Sequence, residues 1–294
     1  MGASGQSNGN NVGMGYQVLS SITTANENVA LGSASSLNIT AGSDNTSVGS
    51  TSLYRNQIGE DNVAVGYRAG YNVSASYNTF VGSNAGFGLN SSPYSSGTYN
   101  TALGYQALTS FTTGYSNVAI GYAASDAITT GYLTTAVGVG AGGNATTGTG
   151  WVGIGYKAGH AQVDHGSWIA IGYEAMGGTA TTNQGSGIAI GYRAMYQVTD
   201  GSSGVAIGNS ALNFLVGQYS TALGDEAGRY ATGSYNTFVG NSAGKGGTTS
   251  APYSSGEKNT AVGYQALDGF TTGYENVAVG GGAGGALTTG YTST

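Results

Sequence analysis

The two histidines of the chain lie in one short segment together with an aspartate. The rings of His160 and His165 and the carboxylate of Asp164 are groups that bind transition metals or, beside a nucleophile, act as a general base. Ligand type without a repeated pattern or a defined geometry is weak evidence. A solvated turn is therefore the favoured interpretation, a metal site is the weaker alternative, and no cofactor is predicted.

The acidic and glycine-rich segments give no stronger sign of catalysis. Asp225 and Glu226 are adjacent, and adjacent residues of a strand point to opposite faces, so they cannot form a pair of glycosidase carboxylates. Gly-x-Gly strings such as 138–140 follow from the 56 glycines of the chain and lack the strand–helix context of a nucleotide-binding loop. We therefore predict that the protein is not an enzyme.

A repeat covers nearly the whole chain and must position all of these side chains. An aliphatic residue precedes a glycine sixteen times in one short motif, and most steps between these glycines are 17 residues long. The glycines are Gly15, Gly32, Gly49, Gly66, Gly82, Gly104, Gly121, Gly138, Gly155, Gly172, Gly191, Gly208, Gly224, Gly240, Gly263 and Gly280. A short period held over so many copies indicates a stacked repeat architecture rather than a globular domain with one pocket.

Positions within a coil are counted from its glycine, which is position zero. Position −1 is aliphatic in all sixteen coils, position −2 is alanine in eleven, position +3 is alanine in thirteen, and position −4 is asparagine in ten. The pattern predicts a short strand from −4 to −1 with its aliphatic side chain in the core. A glycine turn and a second strand, begun by the tyrosine at +1 and the alanine at +3, should follow. The asparagines should form an amide ladder along the stack.

The fold class that follows is all-β: a parallel β-solenoid, or β-roll, of about 16 coils of about 17 residues. Residues 1–10 are predicted to be a flexible or contact-forming N-terminal segment, and 11–294 a single solenoid. Within it a nine-coil block is duplicated, with 62–135 matching 220–294. Because one buried aliphatic side chain contributes only about 1.5–3 kcal/mol, we expect identical chains to pack side by side, with their alanine faces meeting.

The two longest steps, of 22 and 23 residues, occur at equivalent places of the duplicated block. Their extra residues form loops at about 87–98 and 245–258, each with the tip sequence Pro-Tyr-Ser-Ser-Gly. Pro93 and Tyr94 in the first loop and Pro252 and Tyr253 in the second are candidate recognition or contact residues. A tolerated surface insertion is the alternative of equal weight, because a duplication also copies a neutral loop.

Tyrosine, with 22 copies, recurs at two places of the coil. Exposed rows of tyrosine beside asparagine, serine and threonine can stack on sugars and hydrogen-bond their hydroxyl groups. At position +1 the regular spacing favours half-buried rings that fill gaps between neighbouring chains. The tyrosines of the Thr-Thr-Gly-Tyr turns are expected to be exposed: Tyr115, Tyr132, Tyr274 and Tyr291. Of these, Tyr115, Tyr132 and Tyr274 are candidate recognition or contact residues.

Charge is sparse, with a net charge of −6 and only seven basic residues scattered along the chain. No basic patch could follow a phosphate backbone, so no nucleic-acid partner is predicted. No run of about 18 apolar residues occurs, so no membrane insertion is predicted. The chain has no cysteine, which excludes disulfides and does not fix the compartment.

Two segments carry a recognisable motif: Asn-Thr-Ala-Val-Gly-Tyr-Gln-Ala-Leu at 259–267 and Asn-Val-Ala-Ile-Gly-Tyr-Ala-Ala at 117–124. They resemble the head repeats of trimeric autotransporter adhesins and the closely similar repeats of bacteriophage tail fibres. The resemblance covers nearly the whole chain. It implies a trimeric parallel β-roll, left-handed in that family, that serves as a stalk or head touching a host surface.

The expected function is that of a structural fibre or adhesin-type protein, extracellular as a virion fibre or cell-surface appendage, with host-surface glycan as a candidate partner. The alternative is a self-assembling extracellular filament subunit that stacks head to tail, because exposed strand edges at the ends of a solenoid can pair with another copy. Micrographs would distinguish discrete three-chain rods from indefinite filaments.

Overall fold

The structure, a computed structural model, describes residues 9–91, 93–162, 166–178, 186–198, 203–247 and 253–293. The chain divides into two compact units, Met1–Gly150 and Trp151–Thr294, and each is described by itself. In these described ranges every named strand is three residues long. They contain no helix long and apolar enough to cross a membrane.

Unit 1 is a parallel sheet whose strands follow chain order. Its described residues form β1 Val12–Met14, β2 Val29–Leu31, β3 Thr46–Val48, β4 Val63–Val65, β5 Thr79–Val81, β6 Thr101–Leu103, β7 Val118–Ile120 and β8 Thr135–Val137. Each strand pairs with the same positions of the next coil, so that Val12 lies opposite Val29 and Val29 opposite Thr46, a step of 17 residues each time.

Unit 2 has the same arrangement. Its described strands are β9 Val152–Ile154, β10 Ile169–Ile171, β11 Ile188–Ile190, β12 Val205–Ile207, β13 Thr221–Leu223, β14 Thr237–Val239, β15 Thr260–Val262 and β16 Val277–Val279. The register survives the longest step, since Thr237 lies opposite Thr260. Both units therefore confirm the predicted all-β parallel β-solenoid, while one uninterrupted solenoid over 11–294 stays a prediction.

The face of the strand that lies against the core is the opposite of the predicted one. The middle residue, at position −2, is fully buried in most coils, as Ala119 is in β7, while Val118 and Ile120 on either side are only partly covered. The expectation that the aliphatic residue at −1 points into the core is wrong. Successive strand residues alternate between faces, so a strand that buries the alanine at −2 turns the larger side chains at −3 and −1 outward.

Two related expectations are also wrong. The alanines at −2 and +3, such as Ala102 and Ala107, are both fully buried inside one chain, so they cannot be the faces through which neighbouring chains meet. No second strand begins after the glycine: the described residues there form turns, in which Gln106 and Leu108 have φ of 57° and 53°. Left-handed residues at every second position bend the chain too sharply for a strand.

The glycine at position zero is required by close stacking of the coils. Gly104 has a φ of 136°, and a Cβ built on it would lie 2.4 Å from the carbonyl oxygen of Gly121 in the next coil. No side chain fits there, and L-residues rarely adopt this φ. The motif glycine thus marks the place where one coil's backbone lies directly on the next.

The predicted amide ladder is confirmed. Asn45 donates from its backbone N–H and from Nδ2 to Oδ1 of Asn28, each at 3.0 Å, and its Nδ2 also donates to the carbonyl of Gly59 at 2.8 Å. The same bonds join Asn62 to Asn45 and Asn276 to Asn259. These amides are buried, so each ladder step satisfies polar groups that water cannot reach.

Candidate interaction surfaces

Each unit presents an uncharged outer sheet face, defined as the side chains at positions −3 and −1 of its strands. Every residue at these positions is Val, Ile, Leu, Met or Thr. Leu103 in unit 1 is 46% exposed and Ile207 in unit 2 is 40% exposed. A contiguous row of aliphatic side chains that are all at least partly exposed, at the coil spacing, is unusual for a surface that faces only water.

The tyrosines at position +1 form columns beside this face. They lie in turns rather than in a strand, and all eight are exposed in the single chain, as Tyr122 is at 55%. Their rings stack on one another: Tyr105 on Tyr122 with centroids 5.6 Å apart, and Tyr173 on both Tyr156 and Tyr192 at 4.8 and 5.4 Å. Because neighbouring rings cover the ring faces, a ligand meets the ring edges and the hydroxyl groups.

The turn tyrosines stack in the same way at a second edge of the coil. Tyr115 and Tyr132 are 4.8 Å apart and Tyr274 and Tyr291 are 5.5 Å apart, with nearly parallel planes. Tyr115, Tyr274 and Tyr291 are exposed, as predicted, whereas Tyr132 is half-buried under its partner. This edge therefore offers hydroxyl groups rather than free ring faces.

The tyrosines of the two inserted loops, Tyr94 and Tyr253, pack against residues of the solenoid. Tyr94 is half-buried, and its hydroxyl accepts a hydrogen bond of 2.7 Å from Nη1 of Arg55. Tyr253 stacks on Phe214 at 4.7 Å and on Tyr230 at 6.1 Å. Pro93 beside Tyr94 is exposed, and Pro252 lies outside the described residues.

Serine anchors each loop behind its tyrosine. Ser95 is buried, accepts a hydrogen bond from the Leu89 backbone N–H at 2.8 Å and donates one to the Phe111 carbonyl at 2.6 Å. It also forms a parallel bridge with Val73, which Ser254 repeats with Ala231 in the second copy. The loops are therefore built into the coil stack at their bases.

The histidine segment is only partly within the described structure. His160 lies in a turn, and Asp164 and His165 lie outside the described residues. Within those residues no group of three or more His, Asp or Glu side chains is arranged to hold a metal ion. The metal interpretation thus gains no support from the part of the chain described here.

Asp225 and Glu226 lie in a turn, so the strand argument used for them is wrong, although their side chains do contact different partners. Asp225 accepts a hydrogen bond from Nδ2 of Asn241 at 3.2 Å, whereas Glu226 pairs with Arg229 and Lys245. The hydrogen bond from Lys245 is the largest cause that lowers the pKa of Glu226. Both cations hold the carboxylate in its charged form.

Sequence reasoning missed the association of arginine with tyrosine. Each of the four arginines has its guanidinium carbon within 5.5 Å of a tyrosine ring centroid: Arg55, Arg68, Arg193 and Arg229. Such cation–π contacts restrict the guanidinium while leaving its edge free to bind an acceptor. The signal was present as the dipeptides Tyr67-Arg68 and Tyr192-Arg193 at positions +1 and +2.

Comparison with known proteins adds no relative: no family model, no curated protein and no solved structure matches the chain. The resemblance to adhesin heads and tail-fibre repeats stays a prediction, and the surfaces described above carry the functional argument.

Proposed function

We propose that the chain is a structural, non-catalytic component of an extracellular fibre, as a virion fibre or cell-surface appendage, in which identical chains associate side by side as a homotrimer. The observation that carries the proposal is the outer sheet face. It is uncharged in every strand and aliphatic at position −1 in every strand, and it is partly exposed in the single chain. Burying the remaining exposed half of one such side chain contributes about 1 kcal/mol to association. Each unit has eight strands, so the contributions of its aliphatic side chains sum along the face.

A second copy of the chain is the occupant that suits this face best. Its own aliphatic rows repeat at the same spacing, about 4.8 Å between coils, so that side chains of two copies interdigitate coil by coil within each unit. A partner without this period would meet only a few coils well. The resemblance to adhesin heads and tail-fibre repeats implies threefold association. The tyrosine ring edges that stay exposed beside the interface then contact host-surface glycan.

The oligomeric mass of the full chain tests the proposal. We expect light scattering to give three chains, and Leu103→Lys to lower the mass because it places a charge in the interface. Gln106→Lys, in the same coil but at position +2 away from the outer sheet face, is the control and should keep the mass of the wild type. A wild-type monomer, or a Leu103→Lys variant that still assembles, would overturn the proposal. Indefinite filaments in micrographs would instead favour head-to-tail stacking.

A further inference from the structure

The seven basic residues divide into two groups by their partners, and all seven lie in the described residues. Four are paired with carboxylates: Arg193 with Glu174, Arg229 and Lys245 with Glu226, and Lys258 with Glu275. The described structure shows no ion pair for the remaining three, which are Arg55, Arg68 and Lys157. Two of these three lie together in unit 1.

Arg55 and Arg68 flank one aromatic column, which consists of Tyr54, Tyr71 and Phe87. The rings of the column stack at 4.9 and 5.3 Å. The guanidinium carbon of Arg55 lies 5.5 Å from the Tyr54 ring centroid, and that of Arg68 lies 5.5 Å from the Tyr71 ring centroid. Two cations thus border the same aromatic surface, and the described residues place no carboxylate in an ion pair with either.

Most N–H donors of these two arginines have no hydrogen-bond partner among the described residues. Arg55 lies between the rings of Tyr54 and Tyr94, gives one hydrogen bond to the Tyr94 hydroxyl, and has an Nε that is buried without a partner. The Arg68 side chain is exposed, lies 5.0 Å from the Tyr67 ring, and makes no ion pair among the described residues. Guanidinium groups held on aromatic rings present a planar fork of N–H donors, which fits a carboxylate.

The duplicated block supplies an internal comparison. In the second copy Phe214 occupies the place of Arg55, and Glu226 occupies the place of Arg68. Tyr253, the counterpart of Tyr94, stacks on Phe214, and Glu226 is already neutralised by Arg229 and Lys245. The tyrosine tip is retained there, but Asn213, Arg229 and Lys245 occupy the places of Tyr54, Tyr71 and Phe87. An aromatic column bordered by unpaired cations is therefore specific to the first copy among the described residues.

We propose that the patch formed by Arg55, Arg68, Tyr71 and Tyr94 binds the carboxylate of an acidic saccharide. Arg68 supplies the exposed donor fork, Arg55 supplies a second positive charge beside the column, and the tyrosine hydroxyl groups bond sugar hydroxyls. The proposal rests on the proposed role of the protein in contacting host-surface glycan, and it names the chemical class of that glycan. The chain has a net charge of −6, so long-range attraction contributes nothing and the local cations must select the ligand.

Titration calorimetry of the full chain with an oligogalacturonate, and with its methyl ester as the neutral counterpart, tests the proposal. We expect the acid to bind at least tenfold more tightly than the ester and more weakly as salt is added. Arg68→Gln should raise the Kd at least tenfold. Arg193→Gln, which removes a tyrosine-flanked arginine already paired with Glu174, is the matched control and should leave the Kd unchanged.

Several results would overturn the proposal: equal binding of acid and ester, no binding of the acid, wild-type affinity of Arg68→Gln, or an equal loss in Arg193→Gln. Light scattering on the same samples separates this failure from failure of the proposed fibre. A chain that assembles but does not bind the acid refutes only the saccharide proposal, whereas a monomeric chain refutes the fibre. Arg68 is exposed, so its substitution is not expected to disturb folding.

Discussion

The ring of Phe80 fills the space that a side chain at Gly86 would need, since a Cβ on Gly86 would lie 2.1 Å from Cδ1 of Phe80. Phe80 stands at position −2, where most coils have alanine, and Gly86 stands at +4, where the next coil has the buried Leu108. Phe238 and Gly244 repeat the exchange in unit 2. Positions −2 and +4 therefore share one volume of core, and a large residue at one requires a small residue at the other.

We expect Phe80→Ala to destabilise unit 1 by about 3–5 kcal/mol, because the ring is fully buried and nothing nearby can fill the cavity. Adding Gly86→Leu should recover part of the loss, since Leu108 shows that leucine at +4 tolerates a φ of 53°. Denaturant unfolding of the full chain measures both. Thr79→Ala, exposed in the same strand, is the control, and a loss equal to that of Phe80→Ala would contradict the shared-volume explanation.

The sequence predicted the features that depend on identity at a fixed spacing. Coil length, parallel stacking and the asparagine ladder all follow from residues repeated in register, and all are confirmed. The orientation of the strand was not predictable in the same way. In a three-residue strand such as Val118–Ile120, alternation allows either face to be buried, and hydrophobicity favoured the larger residues. The choice of Ala119 for the core depends on the other buried side chains of the coil, whose positions only the structure shows.

The turns and the arginine contacts escaped prediction for a different reason. Gln106 and Leu108 adopt φ of 57° and 53°. Only glycine and asparagine indicate this left-handed conformation in a sequence, so glutamine and leucine gave no sign of it. The contact between Arg55 and Tyr94 was equally hard to predict, because Tyr94 is 39 residues away in the chain and reaches Arg55 only through an inserted loop. Contacts of that kind depend on where the loop returns to the stack.

Gly104→Ala should prevent the local stacking of two coils. The added Cβ would lie 2.4 Å from a backbone oxygen that cannot move away without separating the coils, and φ is 136°. Strain of this kind costs about 1–3 kcal/mol before the clash is counted. Gly282→Ala is the control, because its φ is also positive, at 68°, but nothing lies within 4 Å of the added atom. Thermal unfolding should show a much larger loss for Gly104→Ala, and similar losses would refute the stacking requirement.

Asn62→Leu should weaken unit 1 more than loss of an ordinary surface asparagine. Nδ2 of Asn62 donates to Oδ1 of Asn45 at 2.9 Å and to the Ala75 carbonyl at 2.7 Å, and its Oδ1 accepts from the Asn78 backbone N–H at 3.0 Å. Leucine has a similar size but leaves these buried groups unpaired, at about 1–3 kcal/mol for each group. Denaturant unfolding compares it with Asn26→Leu at an exposed site. Equal midpoints for the two variants would show that the ladder contributes no stability.

Glu226 should make unit 2 less stable in acid. The hydrogen bond from Lys245, followed by the charges of Lys245 and Arg229, lowers its pKa in the folded state, partly opposed by burial. A carboxylate with a lowered folded pKa stabilises the fold at pH above its unfolded pKa, about 4.3, and loses this contribution as pH falls through the folded pKa. Since the three side chains are partly exposed, the effect should be about 0.5–1 kcal/mol. Thermal unfolding of Glu226→Gln and wild type should therefore differ at pH 7 and converge near pH 2.5, where the protonated carboxyl resembles the amide. A difference that stays constant across this range would mean that the ion pairs contribute nothing.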